Sequence, residues 1–282
     1  MFDLEAASRF LNLPEGVFSL NALESCGSTN QVALDAANIG APEGLVVVAE
    51  HQTAGRGRQR RLWHSPPGKN LAFSLLLRPH VPQTRFPQLT MLAAIGLRLA
   101  IREVAPELKI DLKWPNDLWH QGKKLSGILC ECPPQTGSED TPAIVIGIGL
   151  NVNTLRDDFP HELQATATSL AIAAEKTFSR ERILAEFLVK YRKLYLKWLN
   201  TNDLCEFLPI WAQDDLLLGK TITVLRPTDQ ITGKVLGLTS EGLLRLNVAG
   251  REVVVTAGDI HLAPVTPCAP GERPRIFPES LI

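Results

Sequence analysis

The sequence has almost no net charge, no long apolar run and no basic leader. Its 282 residues carry 29 lysines and arginines against 30 aspartates and glutamates, a formal net charge of −1. No overall field therefore draws the chain to nucleic acid or to an acidic membrane, and an anion site must come from a local cluster. The longest apolar runs, such as residues 143–150, have the length of a strand and fall short of the roughly 20 residues that span a membrane. Residues 1–16 are acidic and mixed, unlike a signal peptide, so we expect a cytoplasmic protein.

Disulfide frameworks and the common nucleotide-binding signatures are also missing. The five cysteines are an odd number, which favours reduced thiols. Cys130 and Cys132 share one face of a predicted strand, where a packing or surface role is simpler than that of a nucleophile. The chain has no Gly-x-Gly-x-x-Gly spacing. Gly219-Lys220-Thr221 is not the end of a Walker motif either, because Asp214 stands where the earlier glycine is required.

Hydrophobic periodicity predicts an α+β protein with two domains. Ser28 and Gln31 have the spacing of a capping box, which would begin the first long helix. Short strands separated by turns follow from about residue 216, a pattern typical of a small antiparallel barrel. The predicted strands before that point are 45–49, 71–77, 110–114, 125–131 and 143–150, and the predicted helices are 28–38, 86–105 and 180–200. The predicted boundaries are 1–215 for a large domain, 216–265 for a small β domain and 266–282 for a Pro-rich tail.

Positive charge is concentrated in the loop Gly55-Arg56-Gly57-Arg58, which follows a predicted strand. The glycines let the backbone turn tightly and approach a ligand, and the guanidinium groups fit carboxylate or phosphate oxygens. Arg-Gly sequences also bind RNA as disordered tracts, and a basic loop can simply be solvated. A single copy between strands, in a chain of near-zero net charge, favours a local anion site.

A second polar cluster is the predicted hairpin that begins with Lys113-Trp114-Pro115-Asn116-Asp117. A turn near Gln121-Gly122 folds the chain back, so Lys124 should lie within a few residues of Asp117 across the pair. A lysine, a carboxylate and an amide beside Gly127 suit a metal–phosphate site. The alternative is a turn whose Asp and Asn make only local hydrogen bonds.

Five short motifs, in this order, resemble the signatures of the biotin protein ligases. They are Ser28-Thr29-Asn30, Gly55 to Arg58, Lys113 to Asp117, Lys124 to Leu129 and Gly147 to Asn151. Any one of them is weak evidence, whereas all five in order before a small β domain are specific. The resemblance covers nearly the whole chain, although residues 154–215 match only in their helical character. It implies a catalytic domain of the class II synthetase type, a mixed β-sheet packed by helices, followed by a small SH3-like β-barrel.

The resemblance also implies a reaction in two steps, with ATP and Mg²⁺ as cofactors. The carboxylate of biotin attacks the α-phosphate of ATP and gives biotinyl-5′-adenylate and pyrophosphate. A lysine of a biotin carboxyl carrier protein or domain, from acetyl-CoA carboxylase or a related carboxylase, then takes the biotinyl group and AMP is released.

The site residues that the resemblance implies fall into four groups. The biotin-binding group is Ser28, Thr29, Asn30, Gln52, Gly55, Arg56, Lys124 and Gly127. The nucleotide-binding group is Arg58, Arg61, Trp63, Asn116, Lys124 and Asn151. The catalytic group is Lys124, Arg56, Arg58 and Asp117, and Asp117 is also the candidate ligand for Mg²⁺.

Two features of this sequence depart from common family patterns. Arg60 stands where the family often has the last glycine of Gly-Arg-Gly-Arg-x-Gly, so we expect an atypical closed shape or closing rate of the loop. Only 27 residues precede Ser28, too few for the helix-turn-helix domain of the repressor members, so we expect no DNA binding. Family members occur as monomers and as dimers, and the sequence leaves a homodimer open.

Two alternative functions remain at this level. A lipoate or octanoate ligase of the same fold would need a longer apolar slot and different loop motifs, and Lys113 to Asp117 speaks against it. A non-catalytic nucleic-acid-binding protein would use the Arg-Gly loop, but the net charge and the lack of interleaved aromatic residues disfavour it.

Overall fold

The described residues fold into two β-sheets and six α-helices. A computed structural model describes residues 1–261 except 12, 15, 134–142, 202, 227–228 and 257, so the predicted tail 266–282 lies outside the described residues. The helices are α1 (Leu4–Phe10), α2 (Thr29–Asn38), α3 (Phe86–Val104), α4 (Leu170–Ala174), α5 (Arg180–Leu199) and α6 (Leu208–Ala212). The strands are β1 (Ser19–Cys26), β2 (Leu45–Gln52), β3 (Leu71–Leu77), β4 (Asp111–Lys113), β5 (Asp117–His120), β6 (Lys123–Glu131), β7 (Ile144–Leu150), β8 (Thr221–Leu225), β9 (Gln230–Leu238), β10 (Leu244–Val248), β11 (Arg251–Val255) and β12 (Asp259–His261).

The larger sheet is mixed and has seven strands in the order β1-β2-β3-β7-β6-β5-β4. β1 and β2 run parallel, and every other neighbouring pair runs antiparallel. Successive side chains of a strand face opposite sides of the sheet. Val46 and Val48 of β2 therefore join the core with α3 and α5, whereas Val47 joins the smaller core under α2. The central strands are buried on both sides, which explains their nearly continuous apolar sequences.

Helices α3 and α5 lie against each other over one side of this sheet. Their close contact occurs at Gly96 of α3, where a Cβ atom would stand 3.5 Å from the Cα of Tyr191 in α5. Along α5, the rings of Phe187, Tyr191, Tyr195 and Trp198 stack in succession with centroids 5.3, 6.2 and 6.2 Å apart. The helix predicted at residues 180–200 is confirmed. No helix among the described residues is long and apolar enough to cross a bilayer.

The second sheet is antiparallel and has five strands in the order β11-β10-β9-β8-β12. The predicted α+β class with a small C-terminal β domain is confirmed. The connecting segment 214–216 runs beside β4, where Leu112 N–H donates to Asp214 O (2.7 Å) and Leu216 N–H donates to Leu112 O (2.8 Å). The indole Nε1 of Trp114 donates to Gly242 O over 2.9 Å and ties the small sheet to the hairpin that contains the functional motif.

Two local predictions for the N-terminal part were incomplete or wrong. Strand β1 was missed, because its half-exposed edge position gives polar residues such as Asn21 and Glu24 and no clear apolar run. The capping box is wrong. Ser28 is at the N-cap in extended conformation, but its side chain makes no capping hydrogen bond. Gln31 contacts Asp35 and Arg56 instead, because its carboxamide is drawn toward the guanidinium of the loop.

The first prediction concerns the buried ion pair between Arg98 of α3 and Asp214, whose side chains are each only 12% exposed. Arg98→Met should lower the free energy of unfolding by about 3 kcal/mol, since it leaves the Asp214 carboxylate buried without its partner. Urea denaturation of the variant would measure this. The control is Lys190→Met, which removes the more exposed pair with Glu103 and should cost less than about 1 kcal/mol. Equal losses in the two variants would refute the structural role of Arg98.

Candidate functional site

A cavity opens where β2, β5, β6 and β7 meet the start of α2 and the loop after β2. Gly258 and Ile260 of the small sheet complete its wall. Most of the predicted site residues line it, namely Ser28, Thr29, Asn30, Gln52, Arg56, Arg58, Arg61, Trp63, Asn116, Asp117, Lys124 and Gly127. Gly55 lies behind the loop, where its carbonyl accepts from Trp63 N–H (2.9 Å), and Asn151 lines an adjoining niche. The structure thus brings together nearly all the side chains that the motifs singled out.

The start of α2 and the end of β2 form one end of the cavity. The carboxamide oxygen of Gln52 accepts from the backbone N–H of Thr29 (2.8 Å) and from its hydroxyl (3.1 Å). A backbone N–H can only donate, so the oxygen of Gln52 must face it. The amide nitrogen of Gln52 is then the atom that remains to donate to an acceptor in the cavity. This end suits a neutral polar group such as a carbonyl.

Asn30 supports the cavity wall through its contacts with the protein. Its Nδ2 donates to Glu131 Oε2 (2.7 Å) and its Oδ1 accepts from the Ser74 hydroxyl (2.6 Å). A Cβ atom on Gly147 would stand only 2.0 Å from that Oδ1. The first glycine of the Gly-Ile-Gly strand is therefore required by Asn30. Asn30 was predicted to bind ligand, and the structure commits both of its polar groups to other residues.

The basic loop after β2 is a small, hydrogen-bonded hairpin. Gly57 N–H donates to Arg61 O over 2.7 Å, and Gln59 at the tip has a left-handed φ of 56°. Nη2 of Arg56 donates to Gln31 Oε1 (2.9 Å), and Nη1 of Arg58 donates to Asn116 Oδ1 (3.3 Å). Gln31 is a site residue that the motif reading did not assign, although it directly follows Ser28-Thr29-Asn30. The effect expected of Arg60 on loop closure stays a prediction.

Trp63 ends this loop and lies flat on two glycines of the sheet. A Cβ atom on Gly149 would stand 2.4 Å from the indole Cε2, and one on Gly127 would stand 3.3 Å from Cζ3. The indole Nε1 is buried and has no hydrogen-bond partner in the described structure. Gly127 of β6 and Gly149 of β7 thus leave room for the indole of Trp63.

Lys124 and Asp117 form an ion pair at the centre of the cavity. Lys124 Nζ lies 2.9 Å from Asp117 Oδ2, and the two side chains are 15% and 17% exposed. The register explains the contact, since Asp117 is opposite Gly127 and Trp119 is opposite Lys124, with a β-bulge between them. The predicted convergence of the two side chains is confirmed. Asp117 Oδ1 is buried and has no hydrogen-bond partner among the described residues, so this carboxylate has one oxygen left to bind a cation.

A smaller, mostly apolar niche adjoins the cavity beside Trp63 and Lys124. Its walls are Leu62, Trp63, His64, Lys124, Asn151, Phe159, Leu163 and Ala167. Asn151 is buried and committed to the protein, because its Oδ1 accepts from Asn70 (3.1 Å) and its Nδ2 donates to Thr168 O (3.0 Å). Sequence reasoning missed the last three wall residues, which lie in the segment 154–215. Apolar residues spaced by four at 159, 163 and 167 were the available signal.

The charge of the cavity is strongly positive although that of the chain is not. Among the described lining residues, the cations are Arg56, Arg58, Arg61, Lys113 and Lys124, and the acid is Asp117. Such a lining suits a ligand with several negative charges. Cys130 does not contribute a nucleophile, because burial raises the pKa of its thiol to about 12. The described residues contain no cluster of three acidic, histidine or cysteine metal ligands.

Known proteins resemble this chain in both sequence and fold. A family model described as the Biotin/lipoate A/B protein ligase family matches residues 22–151, and one described as the Biotin protein ligase C terminal domain matches residues 217–262. The bifunctional ligase/repressor BirA of Bacillus spizizenii is 39% identical over 235 residues, which cover 83% of this chain and 71% of that protein.

Two further proteins match this chain over nearly their whole length. The solved structure of the biotin protein ligase from Aquifex aeolicus in complex with biotin and ATP has a TM-score of 0.74 and 29% identity, and the match covers 86% of this chain and 97% of that one. The biotin--[acetyl-CoA-carboxylase] ligase of Mycobacterium tuberculosis is 33% identical over 249 residues, with 86% of this chain and 89% of that protein covered. Identity at this level over so much of both chains goes beyond a shared fold, and the chain belongs to the biotin protein ligase family.

Proposed function

We propose that this protein activates biotin with ATP and transfers it to a carrier protein. The observation that carries the proposal is the position of the Lys124–Asp117 pair. It lies between the Thr29–Gln52 end of the cavity and the apolar niche around Phe159. A relative of this chain has been solved with both biotin and ATP. The cavity offers a polar end, an apolar niche and a cationic centre where the two substrates would meet.

The cationic centre addresses the main barrier of the first step. The biotin carboxylate must approach a phosphate, and two unit charges about 4 Å apart repel by about 4 kcal/mol at an effective dielectric near 20. Lys124, on a rigid strand, would donate to both anions, and Arg56 and Arg58 would close on them from the loop. The carboxylate oxygen then bonds to the α-phosphorus, and pyrophosphate leaves with the electron pair of the broken P–O bond.

The polar end and the niche would orient the two substrates. The amide nitrogen of Gln52 would donate to the ureido carbonyl of biotin, held in place by Thr29 behind it. The adenine ring would enter the niche formed by Phe159, Leu163 and Ala167, next to the indole of Trp63. The nucleotide contact proposed for Asn151 would be indirect, since its amide holds the niche together.

The reaction also requires exclusion of water and a site for Mg²⁺, which the Gly57–Arg61 hairpin and the carboxylate of Asp117 would provide. A mixed anhydride is destroyed by water, and the Gly57–Arg61 hairpin would exclude water when it closes over the adenylate. Asp117 Oδ1, which has no hydrogen-bond partner in the part of the chain that the structure describes, would hold Mg²⁺ together with phosphate oxygens, as a single carboxylate commonly does. The bound ion would neutralise phosphate charge.

The proposal includes the partner and the cellular setting. The acceptor would be a lysine of a biotin carboxyl carrier protein or domain, as the name of the Mycobacterium tuberculosis relative indicates for that protein. We propose a cytoplasmic location, where ATP and the carrier are available, and domains at 1–215 and 216–265. The absence of a repressor function and the homodimer stay predictions, which an operator-binding assay and analytical ultracentrifugation would test.

The second prediction concerns Lys124. Lys124→Ala should reduce biotin-dependent exchange of pyrophosphate into ATP by at least about 100-fold, because a preorganised positive charge at the reacting atoms is lost. The matched control is Lys123→Ala, since the neighbouring residue of a strand points to the other side of the sheet. Circular dichroism and thermal unfolding would show that both variants fold. An unchanged exchange rate in Lys124→Ala would remove Lys124 from the mechanism.

The third prediction concerns the acid that is activated. Pyrophosphate exchange should occur with biotin and should be absent with lipoate or octanoate, because the Thr29–Gln52 end offers hydrogen bonds that an alkyl chain cannot use. Exchange with lipoate or octanoate in place of biotin would establish the alternative ligase. Exchange with none of the three acids would refute the proposed enzyme activity.

The fourth prediction concerns the niche. Phe159→Ala should raise the KM for ATP about tenfold or more and leave the KM for biotin nearly unchanged, since stacking of a base on an aromatic ring contributes about 1–3 kcal/mol. Leu155→Ala is the control, because that side chain is 56% exposed four residues away. Equal effects on the KM values of both substrates would place the adenine elsewhere.

A further inference from the structure

Lys113 is the one cation of the cavity to which the motifs and the proposed mechanism assign no task. It is the last residue of β4, at the edge of the larger sheet, and it lines the same cavity as Lys124. Its ammonium lies 4.2 Å from the ring centroid of Trp119 in β5. An aromatic face attracts a cation, so Trp119 holds the ammonium of Lys113 in place at the cavity wall.

The sheet register gives the position of Lys113 relative to the reacting atoms. Lys113 is opposite Asp117, Asp117 is opposite Gly127, and Gly127 is opposite Gly149. Directly opposed residues share a face of the sheet, and strands lie about 4.8 Å apart. Lys113 is therefore about 10 Å from Gly127 along this row, on the far side of Asp117.

The direction in which the leaving group departs determines which part of ATP would lie near Lys113. In a phosphoryl-transfer step the attacking and leaving oxygens are roughly in line through the phosphorus. The biotin carboxylate would come from the side of β2, where Gln52 lies, and Lys124 of β6 would mark the α-phosphate. The leaving group must then depart toward β5 and β4, which is the side of Lys113.

We infer that Lys113 binds the β- and γ-phosphates of ATP and the departing pyrophosphate, with Trp119 as the support for its ammonium. This inference rests on the proposed function. The sign of the charge agrees with it: the described lining residues include five cations and one acid, and the triphosphate and the departing pyrophosphate are polyanions. Lys113 donates hydrogen bonds to phosphate oxygens. No proton is transferred by it.

Pyrophosphate takes part in the first half-reaction only. Loss of a phosphate-binding residue should therefore affect that half-reaction alone, whereas loss of a structural residue should affect both. Lys113→Ala should raise the inhibition constant for pyrophosphate and the KM for ATP about 10- to 100-fold, the loss expected for a hydrogen bond to a charged group. Transfer of biotin from preformed biotinyl-5′-adenylate to a carrier domain should stay within twofold of the wild-type rate. Lys113→Arg, which keeps a cation over Trp119, should recover most of the pyrophosphate affinity.

The control is Lys109→Ala, which removes the same charge from an exposed lysine near β4, paired at 3.6 Å with Asp111. It should leave all these constants unchanged. Equal losses in both half-reactions of Lys113→Ala, or an unchanged inhibition constant, would overturn the inference.

Calorimetric titration of the enzyme with pyrophosphate and Mg²⁺ makes the test independent of the proposed activity. If the wild type binds pyrophosphate and Lys113→Ala binds it at least tenfold more weakly, the inference holds even if biotin is not the acid. If the two proteins bind it equally, the inference fails even if biotin is activated.

Discussion

The site depends on gathering five cations into one cavity of a chain whose net charge is −1. Like charges held close together repel, and acidic partners would cancel the charge that the ligand requires. Neutral side chains hold two of the arginines in place, because Gln31 accepts from Arg56 and Asn116 accepts from Arg58. The ring of Trp119 contacts Lys113, and Asp117 pairs with Lys124. Gln31 and Asn116 thus position Arg56 and Arg58 without cancelling their charge.

A second constraint is space at the floor of the site. Gly127, Gly147 and Gly149 lack the Cβ atoms that would collide with Trp63 or Asn30. These glycines weaken two strands, and the loss is tolerated because β6 and β7 lie inside the sheet with neighbours on both sides. The same floor lets a large aromatic side chain lie flat beside Lys124. The space above these glycines is thus occupied by Trp63 and Asn30 of the protein itself.

Strong local patterns predicted much of this molecule. The strands β3 and β7 and the helix α5 were predicted, because burial imposes periodic apolar patterns on the sequence. Strand β1 was missed because an edge strand has one exposed side and little periodicity. The capping box at Ser28 failed because a long-range contact, Gln31 with Arg56, took the side chain that the local motif would have used. Phe159, Leu163 and Ala167 were missed because a niche exists only when distant segments pack.

The sequence by itself determined the family, the two-domain architecture and the set of side chains that converge. The reason is that the five ordered motifs contain the residue types that the chemistry of the site requires, and these types are read directly from the sequence. Tertiary structure alone decided how those residues divide the work. It turned the oxygen of Gln52 toward Thr29, committed Asn30 and Asn151 to the protein, and left Asp117 Oδ1 without a partner. It also placed Lys113 in line with Asp117 and Gly127 across three strands. Strand register and hydrogen-bond direction set these relations, and both arise between residues that are far apart in the chain or on different strands.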